Sequence, residues 1–106
     1  VVTLSAGLSL GTLPGGFTDR PELLKDPLIE SLVNAATRQI SETQNLRLGE
    51  IEILRVRTQI VAGVNYKIDF AARPAPDPTV ERINCQATIY VRFDSTRQIT
   101  QAQCFL

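Results

Sequence analysis

Between Asp26 and Ser41 the apolar residues of this chain recur at helical spacing. They fall at Leu28, Ile29, Leu32, Val33, Ala36 and Ile40, with Glu30, Ser31, Asn34, Arg38 and Gln39 filling the other side. That period predicts a helix of about four turns with one buried face. Asp26 and Pro27 mark its start, because an Asp side chain satisfies free backbone N–H groups and Pro suits the first helical position. A chain of 106 residues has room for one core, so the sequence after the helix must supply the surface on which that face is buried.

That later sequence alternates. Ile51 and Ile53 share one parity and Leu54, Val56 and Thr58 the other, so a bulge is expected at Ile53-Leu54, curving the strand around the helix. Beyond Gly63, the residues Val64, Tyr66, Ile68 and Phe70 alternate with Asn65, Lys67 and Asp69 as in a half-buried strand. Residues 71–82 contain Pro74, Pro76 and Pro78 and read as a connecting loop. Two further strands are expected near residues 83–93 and 97–105. A two-residue turn at Asp94-Ser95 would set Phe93 against Thr96, Ile89 against Thr100 and Cys85 against Cys104. That register favours a disulfide between Cys85 and Cys104 over two reduced core cysteines, and with it an oxidising, extracellular setting. The fold class is therefore α+β: an antiparallel sheet of four to five strands wrapped around one long α-helix, the fifth strand coming from the N-terminal arm.

Residues 1–20 hold four of the six glycines and Pro14 without a sustained period, and they read as an arm. Val1 to Leu10 are set aside as the remnant of a leader or an added segment, and without any Met in the sequence Val1 is not expected to be a natural start. The expected division is a flexible segment over residues 1–12 and a folded domain over residues 13–106.

Composition excludes much chemistry. The chain has no His, so it offers no Ser-His or Cys-His pair and no imidazole ligand. Two Cys without His do not make a zinc site of ordinary spacing, and no Gly-rich phosphate loop follows a strand. No enzymatic activity, metal or cofactor is expected. Eleven basic residues balance eleven acidic ones, so neither nucleic acid nor an anionic membrane is favoured, and no apolar run approaches the ~20 residues a membrane span needs.

Function concentrates at the tip between the first two long strands, Gln59-Ile60-Val61-Ala62-Gly63. Tight turns ordinarily use Asn, Asp, Gly or Pro, whereas this one offers Ile, Val and Ala. From periodicity alone two outcomes stay open. The tip is buried beneath the N-terminal arm, or it enters the cleft of a partner.

The tip matches the Q-x-V-x-G signature of the cystatins, and Val64-Asn65-Tyr66 resembles the stretch that commonly follows it. The motif stands after a single long helix and before a C-terminal cysteine pair, with Gly15-Gly16 ahead of the helix where cystatins place an arm glycine. The chain thus resembles the cystatin family over roughly residues 13–106, which implies the cystatin fold. Cys85 and Cys104 resemble the second disulfide of secreted cystatins, and the first has no counterpart.

The resemblance implies a secreted, reversible inhibitor of papain-like cysteine proteases, active as a monomer. Three elements would form a wedge in the protease cleft. The arm carries over to Leu13, Pro14 and Gly15, and the first hairpin to Gln59, Ile60, Val61, Ala62 and Gly63. The second hairpin departs from the family's Pro-Trp and offers Phe93 within Val91-Arg92-Phe93-Asp94. Some secreted cystatins inhibit legumain through an Asn after the helix, but Gln44-Asn45-Leu46 does not match that motif. A cystatin-fold module that binds without inhibiting, or serves as a pro-segment in a larger secreted protein, is the alternative.

Overall fold

The Asp26 side chain accepts a hydrogen bond from the Leu28 N–H at 2.8 Å, and from this cap the helix α1 runs Pro27–Thr43. The computed structural model describes residues 16–75 and 79–106. Ile29, Leu32, Val33, Ala36 and Ile40 are buried along one face of α1, as the period predicts, and Leu28 packs at its margin. Gln44 closes the helix through its N–H to the Ile40 carbonyl at 2.8 Å, and Asn45 then turns the chain at φ 56°. Among the described residues no helix is long and apolar enough to cross a membrane.

Among the described residues five strands follow one another in space as in sequence: β1 (Thr18–Asp19), β2 (Arg47–Val61), β3 (Gly63–Ala75), β4 (Ile83–Val91) and β5 (Arg97–Phe105), all pairings antiparallel. The fifth strand of the expected sheet is thus β1, from the arm. It pairs Thr18 with Thr58 and Asp19 with Arg57. Arg20 extends the attachment, its N–H to the Val56 carbonyl at 2.8 Å and its Nε to the Thr58 hydroxyl at 3.0 Å. That bond gives the buried Thr58 hydroxyl a partner.

One sheet face meets α1 through Val56, Ile68, Phe70, Ala72, Cys85, Ala87, Ile89 and Cys104. The other carries polar rows, with Arg57 to Asp69 at 2.9 Å and Gln86 Nε2 to the same carboxylate at 2.7 Å. Leu54 is the extra residue where the register shifts between Ile53 and Arg55, and it points outward at 47% exposure. The change of parity therefore marks a real bulge. A second shift between Gly49 and Glu52, with Glu50 at φ 48°, adds to the bend.

Two expectations are corrected. Residues 71–82 are not loop throughout, because β3 continues to Ala75 and sets Pro74 opposite Leu48. The pairing of β3 with β4 ends at Ala72 and Ile83, so Pro74 lies where β3 has a neighbour on one side only, and there a missing N–H is tolerated. The β4–β5 turn is not a two-residue turn. Arg92 N–H bonds the Thr96 carbonyl at 2.9 Å, leaving a three-residue loop of Phe93, Asp94 and Ser95 with Ser95 at φ 72°. Ile89 consequently faces Ile99, and an irregularity at Thr100 restores the register, so that Cys85 still faces Cys104. The two cysteines form the disulfide. The division expected between residues 12 and 13, together with Leu13, Pro14 and Gly15, lies outside the described residues.

Candidate functional site

At the end of the first hairpin, Val61 pairs with Gly63 and leaves Ala62 as the single residue between β2 and β3. Gly63 adopts φ +126°, a region open to glycine and strained for other residues. A Cβ there would also lie 2.6 Å from the Val91 carbonyl oxygen and 2.9 Å from the Tyr90 ring. Glycine is therefore required twice over, for the turn and for the approach of β4. Ahead of the tip Gln59 is held across the hairpin, its Oε1 accepting from Asn65 Nδ2 at 3.0 Å.

Ile60 is 69% exposed and Val61 38%, so the tip is not folded into the core. The described residues leave this apolar tip uncovered, and the arm ahead of Gly16 lies outside them. Phe93 is 83% exposed on the neighbouring loop. Between the two tips lies a shallow groove of about 330 Å³ lined by Ala62, Tyr90, Arg92, Phe93 and Asp94. The Asp94 carboxylate is held below the usual aspartate range by the Thr96 hydroxyl and by the Thr96 N–H, the latter 2.9 Å away. It stays ionised and fastens the loop that presents Phe93.

The fold thus sets Gln59 to Gly63 beside Phe93. The direction of β1 bears on the arm: with Thr18 opposite Thr58, Phe17 and Gly16 lead back toward the tip end of β2. Lys67 Nζ sits 5.3 Å from the Phe17 ring centroid and helps to seat this part of the chain.

Tyr90 and Asn65 are not legible in the sequence as site residues. Both sit on the outward parity of their strands, where the sequence pattern says only that a residue faces solvent. The one available signal is the aromatic ring at Tyr90 on a strand whose partner begins with glycine.

A separate concavity of about 490 Å³ lies between the start of α1 and β2, lined in part by Leu24, Asp26, Glu30, Val33, Ile51 and Glu52. It is a seam between helix and sheet, and its Glu52 is already paired with Arg82 at 2.6 Å. Among the described residues no cluster of His, Cys, Asp and Glu has the arrangement of a metal site.

A sequence model of the cystatin domain matches residues 15–91. The chain is 41% identical over 58 residues to Multicystatin of Solanum tuberosum, a match covering 55% of this chain and 8% of that protein. It is 33% identical over 60 residues to Cystatin-A of Homo sapiens, covering 57% of this chain and 59% of that one. The match therefore spans less than two thirds of either relative. Among solved structures, the salivary cystatin of the soft tick Ornithodoros moubata superposes with a TM-score of 0.70 at 24% identity, over 89% of this chain and all of the other (100%). That likeness establishes the fold, one helix held in an antiparallel sheet.

Proposed function

The chain belongs to the cystatin family, and on that premise we propose that it is a reversible, tight-binding inhibitor of papain-like cysteine proteases and not an enzyme. The observation that carries this reading is the pair of exposed apolar tips at one end of the sheet, Ile60-Val61 and Phe93, with a groove lined by Ala62 and Phe93 between the two hairpins. Isolated exposed apolar residues are ordinary on a protein surface. Two adjoining hairpin tips built from them, each with its backbone fastened, are what a surface that loses its water to a partner requires.

The proposed contacts are Leu13, Pro14 and Gly15 from the arm, Gln59 to Gly63 from the first hairpin and Phe93 from the second. Entering the cleft together, they would cover the catalytic Cys and His of the protease. A hairpin tip offers no extended peptide bond in attack geometry, so the inhibitor is retained and not cleaved. Gly15 would let the arm bend away from the nucleophile, since glycine reaches φ values closed to other residues. The disulfide supports an oxidising, extracellular setting, and the proposed inhibitor acts as a monomer.

Titration of the folded chain against a panel of papain-like proteases, with a small fluorogenic substrate, tests the proposal. Stoichiometric, reversible inhibition of at least one enzyme, with the inhibitor recovered intact, is the expected result. A folded chain that inhibits none of them would replace this reading with that of a non-inhibitory binding module.

A further inference from the structure

We infer that Tyr90 is a positioning residue for the first hairpin, a strap from β4 that holds the tip in its protease-binding shape before any protease arrives. The inference rests on the inhibitory reading of that tip. Tyr90 lies opposite Asn65 in the β3–β4 register, on the outward face, which makes Gly63 its diagonal neighbour on β3. The ring extends along that diagonal and reaches the tip. Its hydroxyl donates to the Ala62 carbonyl, the acceptor of the single residue between the two strands.

The absence of a side chain at Gly63 is what permits this approach. A Cβ there would meet the ring at 2.9 Å and the hydroxyl oxygen at 3.0 Å. An aromatic ring laid over a cross-strand glycine restores the packing that glycine lacks. The glycine of the tip and the tyrosine of the next strand thus form one device. Gln59 and Asn65 make a parallel tie one row further from the tip. Ile60 and Val61, exposed at the end of the β2–β3 ladder, are bracketed by the two.

A loop that is already ordered loses less freedom on binding, so the strap should act on association. If the binding-competent tip is only part of the population, apparent affinity falls by that fraction. Deleting one hydrogen bond of ordinary strength should cut the association rate roughly two- to tenfold.

The test is Tyr90→Phe in the full disulfide-bonded chain, which removes one oxygen and keeps the ring over Gly63. Nitrogen-15 relaxation of the free protein should show the backbone order parameters of residues 61–64 falling from about 0.85 toward about 0.6, with the rest of the sheet unchanged and the melting temperature lower by no more than about 10 °C. Stopped-flow kinetics against a protease that the parent inhibits should show slower association and a dissociation rate within about twofold of the parent. Unchanged order parameters overturn the strap itself. Altered order parameters with parental association overturn its positioning role and leave a structural one. A parent chain that inhibits no papain-like enzyme overturns the functional reading and the positioning role with it, while the relaxation measurement still decides whether Tyr90 orders the tip.

Discussion

Val61 ends β2 and its side chain is partly open to water, so the fold places few demands on it. The proposed complex would demand much more, since the same side chain would be enclosed against a protease. Val61→Asp separates the two. A carboxylate carried into a water-excluded contact without a partner should cost about 2–4 kcal/mol of binding, roughly thirty- to a thousandfold in affinity. An exposed turn should lose no more than about 0.5 kcal/mol of stability, keeping Tm within about 3 °C of the parent. Inhibition constants and a thermal scan read both numbers. A variant that inhibits like its parent would remove Gln59 to Gly63 from the interface. At this scale the sequence is informative where residue type contradicts its place, as with Ile, Val and Ala in a turn. It is silent on Tyr90, whose partner is a backbone carbonyl and therefore has no residue type to betray it.

The elements show a similar boundary. The helix and its cap are legible because Asp26, Pro27 and a repeated apolar spacing all point to one register, and the bulge at Leu54 because it inverts parity. The irregularities that stay hidden sit at residues other than glycine: Glu50 at φ 48° and Ser95 at φ 72° adopt a conformation that sequence rules assign mainly to Gly and Asn. Without that conformation at Ser95 the second hairpin reads one residue too tight, and the irregularity at Thr100 cancels the error before the cysteines. Their pairing holds although the turn that suggests it does not. One further tie between elements, equally invisible in the sequence, joins the end of α1 to the outer edge of β5. The Gln44 carboxamide donates to the Cys104 carbonyl at 3.1 Å and accepts from the Cys104 N–H at 2.8 Å. It stands where an additional strand would pair, and so it also blunts an open edge. Gln44→Ala should leave both backbone groups of this buried residue short of a partner, at about 1–2 kcal/mol and about 5–10 °C in Tm. Gln44→Glu, retaining the acceptor and losing the donor, should fall between. Thermal unfolding with hydrogen exchange at the Cys104 amide measures the tie; parental values for Gln44→Ala would show that water replaces it without loss.

On the scale of the whole molecule, β2 sets the dimensions. Its 15 residues at about 3.3 Å each give a strand about 50 Å long, and the molecule measures 53 × 29 × 27 Å. A strand that long reaches past the core at one end, so the first tip can leave the hydrophobic cluster without exposing it. The arm joins the same design because β1 pairs with Arg57 and Thr58, near the tip end of β2 and not at its start. From there Phe17 and Gly16 lead toward the tips, and residues before Gly15 would enter the cleft beside them. Those residues show no periodic pattern in the sequence, so deleting residues 1–14 should barely change thermal unfolding. Binding should respond differently. If Leu13 fills a protease subsite, its burial contributes roughly 1.5–3 kcal/mol, about ten- to a hundredfold in affinity. Pro14, with its fixed φ, should make the loss unequal between enzymes whose adjoining subsites differ in shape. If Phe93 is a weaker anchor than the Pro-Trp that the family resemblance leads one to expect, the arm should hold a larger share of the total here. The loss belongs in dissociation, since the two hairpin tips still guide docking when the arm is gone. Surface-based kinetics of the full and shortened chains against two papain-like proteases should show faster release at nearly equal association rates. Equal dissociation rates on both enzymes would exclude the arm from the wedge and leave the two hairpins as its whole contact surface.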